Sequence, residues 1–177
     1  TRNPDFCYSK TPLIELAGKS IAIVGYGRIG ERTGEIARAF GMRVIPVKRN
    51  DPVEAAIKDA DFVSLHCPLT DATKNLVNKA FLGRMKKSAF LVNTSRGALV
   101  VEQDLADALN SQTIAGAAVD VVSAEPMKAD NPLLKAKNCI ITPHIAWCAL
   151  EARQRLTQVT AQNIANFLAG KPMNVVN

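Results

Sequence analysis

A seven-residue stretch, Val24-Gly25-Tyr26-Gly27-Arg28-Ile29-Gly30, limits what this chain can fold into more than any other feature. It reads GxGxxG and stands between an apolar strand-like run at Ser20–Val24 and a helical pattern at Ile29–Phe40. Each glycine in such a strand–turn–helix unit has its own task. Gly25 permits the tight turn, Gly27 lets backbone approach a pyrophosphate, and Gly30 lets helix and strand pack closely. The first helical turn, with Arg28 and Ile29, offers N–H groups and the positive dipole end to phosphates. With a second strand-like run at Arg43–Val47, the context predicts a dinucleotide site contacted by Gly25, Gly27, Arg28, Ile29 and Gly30. A glycine turn used only for packing is the alternative.

The same alternation continues down the chain. Within the first helical pattern Ile29, Ile36, Ala37 and Phe40 share one face. A short helix is expected from about Pro52, a strand at Phe62–Leu65, a helix near Lys79–Met85 and a strand at Ala89–Asn93. Then come a helix near Glu102–Asn110, strands at Ile114–Val119 and Cys139–Ile141, and a long helix at Leu150–Ala169, stopped by Gly170 and Pro172. Apolar strands buried on both faces and separated by helices predict an α/β fold, a doubly wound parallel sheet of Rossmann type with helices on both faces. Three parts are expected: a connector or interface arm over residues 1–19, a dinucleotide-binding domain over 20–149, and a C-terminal helix and tail over 150–177.

Composition excludes several classes. No apolar run reaches the about 18 residues that would span a membrane. The opening TRNPDFCYSK lacks the basic-then-apolar layout of a signal peptide. The four cysteines, Cys7, Cys67, Cys139 and Cys148, are scattered with no CxxC pair, which points to reduced thiols, a cytoplasmic protein and no metal site. His66 and Cys67 are neighbours on a strand and so point to opposite faces, a poor ligand pair. Net charge is +6, which favours anionic partners. No basic run supports nucleic acid, and aromatic residues are only 5%. A phosphorylated small molecule is the simpler partner.

Several segments together resemble the D-2-hydroxyacid dehydrogenase family: LAGKSIAIVGYGRIG, SLHCPLT, LVNTSRGALV, GAAVDVVSAEP and TPHIAW. They stretch from Leu16 to Trp147. The phrasing of DNPLLKAKNCIITPHIAW is most similar to the glycerate dehydrogenase (hydroxypyruvate reductase) branch. The resemblance implies a nicotinamide-dependent oxidoreductase that interconverts a small 2-oxo acid and a D-2-hydroxy acid. Members of the family carry a separate substrate-binding domain, for which this chain has no counterpart, and usually dimerise through the cofactor domain. A homodimer is therefore expected, with residues 1–19 as an exchange surface.

By the same resemblance, Arg96 binds the substrate carboxylate or carbonyl through its planar fork. His144 donates the proton in ketone reduction. Glu125 pairs with His144, orienting the imidazole and favouring its charged form. Asp120 faces the nicotinamide carboxamide, Thr94 and Ser95 touch the cofactor, and Cys67 and Pro68 line its adenosine side. Each of these last could also be a plain loop residue, and Trp147 is either a substrate-side wall or an apolar anchor. Independently of the family, Arg96, Asp120 and His144 all fall just past strand C-termini, where open parallel sheets bind ligands.

One departure bears on the cofactor. NAD-preferring members end the second strand in an acid that holds the adenosine ribose. Here Lys48 stands at that place with Arg49 after it, and Asp51 comes late. The cofactor is thus NAD(P), leaning to NADP. A second class of function, a dinucleotide-sensing module of corepressor type, shares the fold and can retain the same residues.

Overall fold

The computed structural model describes residues 13–176, so the expected arm at residues 1–19 falls mostly outside the described part. The chain divides into two compact units, one ending at Ile141 and the other starting at Thr142. The first holds β1 (Ser20–Val24), α1 (Arg28–Ala39), β2 (Arg43–Val47), α2 (Val53–Lys58), β3 (Phe62–Leu65), α3 (Lys79–Leu82), β4 (Phe90–Asn93), α4 (Glu102–Asn110), β5 (Gly116–Val119) and β6 (Cys139–Ile141). Two short 3-10 turns, Gly97–Leu99 and Pro132–Lys135, were not expected. They are too short to leave a periodic pattern.

All strand pairs are parallel, in the order β2-β1-β3-β4-β5-β6. The chain leaves β1 toward β2 on one side and returns to β3 on the other. This is the doubly wound, Rossmann-type sheet, with its switch point between β1 and β3.

The period-2 alternation of β1 feeds two cores. Ile21 and Ile23 join Ala37 and Met42 beneath α1. Ala22 and Val24 join the larger core, with Ile57 of α2, Phe81 and Leu82 of α3, and Leu105 and Leu109 of α4. Helices therefore cover both faces. Each fully buried Leu or Ile contributes about 1.5–3 kcal/mol. The side chain of Asn78 begins α3 by accepting from the Ala80 and Phe81 N–H groups.

Two expectations need correction. Burial on both faces holds for the inner strands but not for the edges: β2 keeps only Val47 buried, and β6 has no buried residue. Pro46 is tolerated in β2 because that strand is an edge. In α1, Ala37 does not share the face of Ile29, Ile36 and Phe40. The helix buries Gly30, Gly34 and Ala37, while the three large side chains are 60–73% exposed. The reason is steric: a Cβ on Gly30 would lie 2.7 Å from the Gly25 carbonyl oxygen, and one on Gly34 3.0 Å from the Tyr26 hydroxyl. The small face lets the helix sit close to the sheet, and the bulky face must turn outward.

In the second unit α5 (Leu150–Leu168) has no buried residue. Gly170, at φ +70°, ends it. The Gly170 N–H donates to Phe167 O and the Lys171 N–H to Asn166 O, the paired bonds of a Schellman stop.

Candidate active site

The glycine turn sits at the switch point. Gly25 has φ +93°, and a Cβ there would overlap the Cys67 backbone nitrogen and lie 2.6 Å from its Cα. Only glycine lets the loops after β1 and β3 meet. The Gly25 and Tyr26 N–H groups both donate to Val47 O, at 2.9 and 3.0 Å, which ties the turn to the end of β2. At Gly27, by contrast, a Cβ would meet nothing within 4 Å. The turn is thus tight at its base and open over the start of α1, which no side chain caps. An anionic phosphate fits that combination.

A cleft of about 730 Å³ opens beside it, lined by Gly25–Gly27, the segment from Val47 to Asp51, and His66 to Pro68. His66 Nε2 lies 2.8 Å from Ser64 Oγ. Burial lowers the His66 pKa and raises that of the Cys67 thiol, so both favour neutral forms. Charge in the cleft comes instead from the exposed Lys48 and Arg49 and from Asp51. Asp51 is late in sequence but not in space. Its carboxylate folds back to accept the Lys48 N–H at 2.8 Å.

Beyond β4 a buried asparagine shapes the turn that carries Arg96. Asn93, with no exposed surface, accepts the Ser95 N–H at 3.0 Å and donates to the Arg96 carbonyl at 3.0 Å. The Ser95 hydroxyl donates to Cys67 O at 2.7 Å, joining this turn to the loop after β3. Thr94 and Arg96 are exposed, and one Arg96 guanidinium N–H donates to Ser95 O. Asp120 is buried at the end of β5, and its N–H donates to Asn93 O. Farther along, Glu125 Oε1 accepts the Val122 N–H at 3.2 Å. The loops after β1, β3 and β4 are thus interlocked, with Asp120 at the next strand end.

His144 lies in a turn of the second unit. Its N–H donates to Thr142 O, and its carbonyl accepts the Trp147 indole N–H at 2.9 Å. Its φ of +54° is uncommon for a residue with a Cβ. Among the described residues no group of three or more His, Cys, Asp or Glu gathers to hold a metal ion.

The family model for the D-isomer specific 2-hydroxyacid dehydrogenase, NAD binding domain, matches residues 2–146. The chain belongs to this family. A hydroxypyruvate reductase of Blautia hydrogenotrophica is 50% identical over 187 residues, covering 99% of this chain and 58% of that protein. A glycerate dehydrogenase of Methylorubrum extorquens is 42% identical over 182 residues, again 99% of this chain and 58% of the relative. The chain therefore spans somewhat more than half the length of these relatives. The crystal structure of the NAD-complexed D-isomer specific 2-hydroxyacid dehydrogenase of Lactobacillus delbrueckii ssp. bulgaricus superimposes with a TM-score of 0.82 at 29% identity, covering 93% of this chain and 57% of that one.

Within this dehydrogenase domain, residues that the sequence reading passed over also organise the site. Asn93 could have been singled out as an amide ending an apolar strand just before Ser95-Arg96-Gly97. Nothing local marks Glu102, because its partners Ser123 and Asn131 are found only in the fold. Cys67 and Pro68 line the cleft; Lys48 and Arg49 do as well.

Proposed function

We propose that the intact protein interconverts a small 2-oxo acid and its D-2-hydroxy acid, hydroxypyruvate and glycerate or glyoxylate and glycolate, using a nicotinamide dinucleotide. The observation that carries this reading is the shared edge. The glycine cradle follows β1, and Arg96 and Asp120 follow β4 and β5 at the same carboxyl ends of one parallel sheet. The names of the relatives support the substrate class.

The bound nicotinamide supplies or accepts the hydride. Gly25, Gly27, Arg28, Ile29 and Gly30 hold the pyrophosphate; Thr94, Ser95, Cys67 and Pro68 line the rest of the cofactor, and Asp120 accepts from the carboxamide. Arg96 grips the substrate carboxylate. His144 gives its proton to the ketone oxygen, and Glu125 orients it. The domain boundaries at residues 19 and 149 belong to the same reading.

NADP is the preferred cofactor in this proposal. Lys48 and Arg49 bring two cations to the end of β2, against one anion at Asp51. One charge-assisted hydrogen bond to a 2′-phosphate is worth roughly 1.5–3 kcal/mol, about tenfold to hundredfold in affinity. A second copy of the chain is the proposed partner, and the outward face of α1, Ile29, Ile36 and Phe40, supports an apolar contact. No helix among the described residues is long and apolar enough to cross a membrane. The proposed setting is the cytoplasm, on the dispersed cysteines of the sequence.

The test is turnover of hydroxypyruvate and glyoxylate by the intact protein with NADPH and with NADH, beside binding titrations of wild type, Lys48→Asp and Arg49→Ala. Expected are turnover, tighter NADPH binding, and a loss of that preference of about tenfold or more in Lys48→Asp. Tight dinucleotide binding without turnover of any 2-oxo acid would point to a sensing module instead.

A further inference from the structure

We propose that Glu102, the first residue of α4, is a positioning residue for the reaction. It holds Val121–Glu125 against Arg96–Gly97 and so sets where both charged groups stand. The proposal rests on the reading above, in which Arg96 and Glu125 serve the chemistry.

Glu102 has both carboxylate oxygens turned to the loop between β5 and β6. Oε1 accepts the Ser123 N–H at 2.7 Å. Oε2 accepts the Ser123 hydroxyl and the Asn131 side-chain amide, both at 2.9 Å. Asn131 is buried, and its Oδ1 accepts the Leu133 N–H at 2.9 Å, so the far end of the loop is fixed as well. One side chain thus pins the loop at two places.

Ser123 is where that grip reaches the site. Its neighbour Val122 gives its N–H to Glu125 Oε1, and its carbonyl faces Gly97, the residue after Arg96. A Cβ on Gly97 would overlap the Val122 carbonyl group and lie 2.5 Å from the Ser123 nitrogen. Arg96–Gly97 and Val122–Ser123 are in backbone contact, and Glu102 clamps that contact from the side of α4. Its own strand of chain is anchored too, since the Val101 N–H donates to Val77 O at 2.9 Å.

A carboxylate near a helix start also complements the dipole, but that role does not need these contacts. Asp104 sits in the same first turn and spends its carboxylate on the Lys79 N–H. Glu102 faces the backbone N–H of Ser123 and the NH₂ of Asn131, two donors that only acceptors can answer, with a hydroxyl beside them. Glutamine would point an NH₂ group at one of those donors and lose that bond. Small displacements of reacting groups are costly; about 1 Å can remove about a hundredfold in rate.

The experiment compares wild type, Glu102→Gln, Ser123→Ala and Glu125→Gln in the intact protein. The readouts are kcat and KM for hydroxypyruvate, the pH–rate profile of reduction, NADPH affinity by fluorescence titration, and amide hydrogen exchange over residues 121–125. Glu102→Gln is expected to lower kcat/KM by about tenfold to hundredfold, with KM raised through Arg96. The pH–rate profile should change as it does in Glu125→Gln, and exchange over 121–125 should rise while NADPH affinity holds. Wild-type kcat, KM and pH profile in a Glu102→Gln protein that has merely lost thermal stability would overturn the proposal. If that variant does not fold, Ser123→Ala is read in the same way, and wild-type kinetics there overturn it. Should Glu125→Gln leave the profile unmoved, the role given to Glu125 falls. The KM of Glu102→Gln then decides the positioning role alone.

Discussion

The two edges of the sheet treat polar groups in opposite ways. At the amino edge, polar groups answer one another. Asp61 Oδ2 accepts the Ser20 N–H at 2.8 Å and the Ser20 hydroxyl at 2.9 Å, and Oδ1 takes the Lys86 ammonium at 3.0 Å. The bond from the Ser20 N–H, helped by Lys86, lowers the Asp61 carboxyl to about 2. At the carboxyl edge, Asn93 and Ser95 spend their hydrogen bonds on loop backbone, Glu102 holds the Ser123 N–H, and Lys48, Arg49 and Arg96 are left at the surface. The first edge closes the fold, and the second holds loops in place for something that arrives. Stability and activity should therefore respond separately at the two edges.

The largest effect expected from that contrast is kinetic. His144→Ala should lower kcat for reduction by about 10²–10⁴, and Arg96→Lys should raise KM for the oxo acid, because an ammonium cannot reproduce the planar fork. Thermal midpoint and NADPH affinity should stay close to wild type in both. A midpoint loss as large as that of an amino-edge variant would break the contrast.

Gly97→Ala tests where it ought to fail, since Gly97 belongs to the carboxyl edge yet is packed against backbone. Forcing a Cβ onto the Val122 carbonyl should cost about 3 kcal/mol, at the upper end of overpacking. Both stability and kcat/KM should fall, measured by urea unfolding and steady-state kinetics on one preparation. Wild-type stability in that variant would mean the two segments separate easily.

The smallest effect belongs to the amino edge. Asp61→Asn should destabilise by about 1–2 kcal/mol, reduced from the usual value for a charged hydrogen bond because solvent reaches the pair. That is a midpoint about 2–8 °C lower, with kcat and KM unchanged. The sign follows from the depressed carboxyl. Its contribution is complete above the ordinary value of 3.8 and is lost as pH falls through about 2. Thermal scans of wild type and variant should therefore converge toward pH 2, and a gap that widens there would contradict the assignment.

The sequence by itself determined the strands and helices, the glycine cradle and the Gly170 stop, because these depend on local rules. Apolar period, glycine sterics and capping chemistry act within one or two turns of chain. The roles proposed for Arg96, Glu125 and His144 rest on the family's motifs, and for Arg96 and His144 also on their place just past strand ends. Tertiary structure alone decided which face of α1 is buried, because the answer depended on how closely Gly30 and Gly34 approach β1 and Tyr26. It also joined Ser20 to Asp61 across 41 positions and Glu102 to Asn131 across 29. A hydrogen bond between residues so distant leaves no periodic trace, since each partner alone is an ordinary polar side chain until the sheet brings them together.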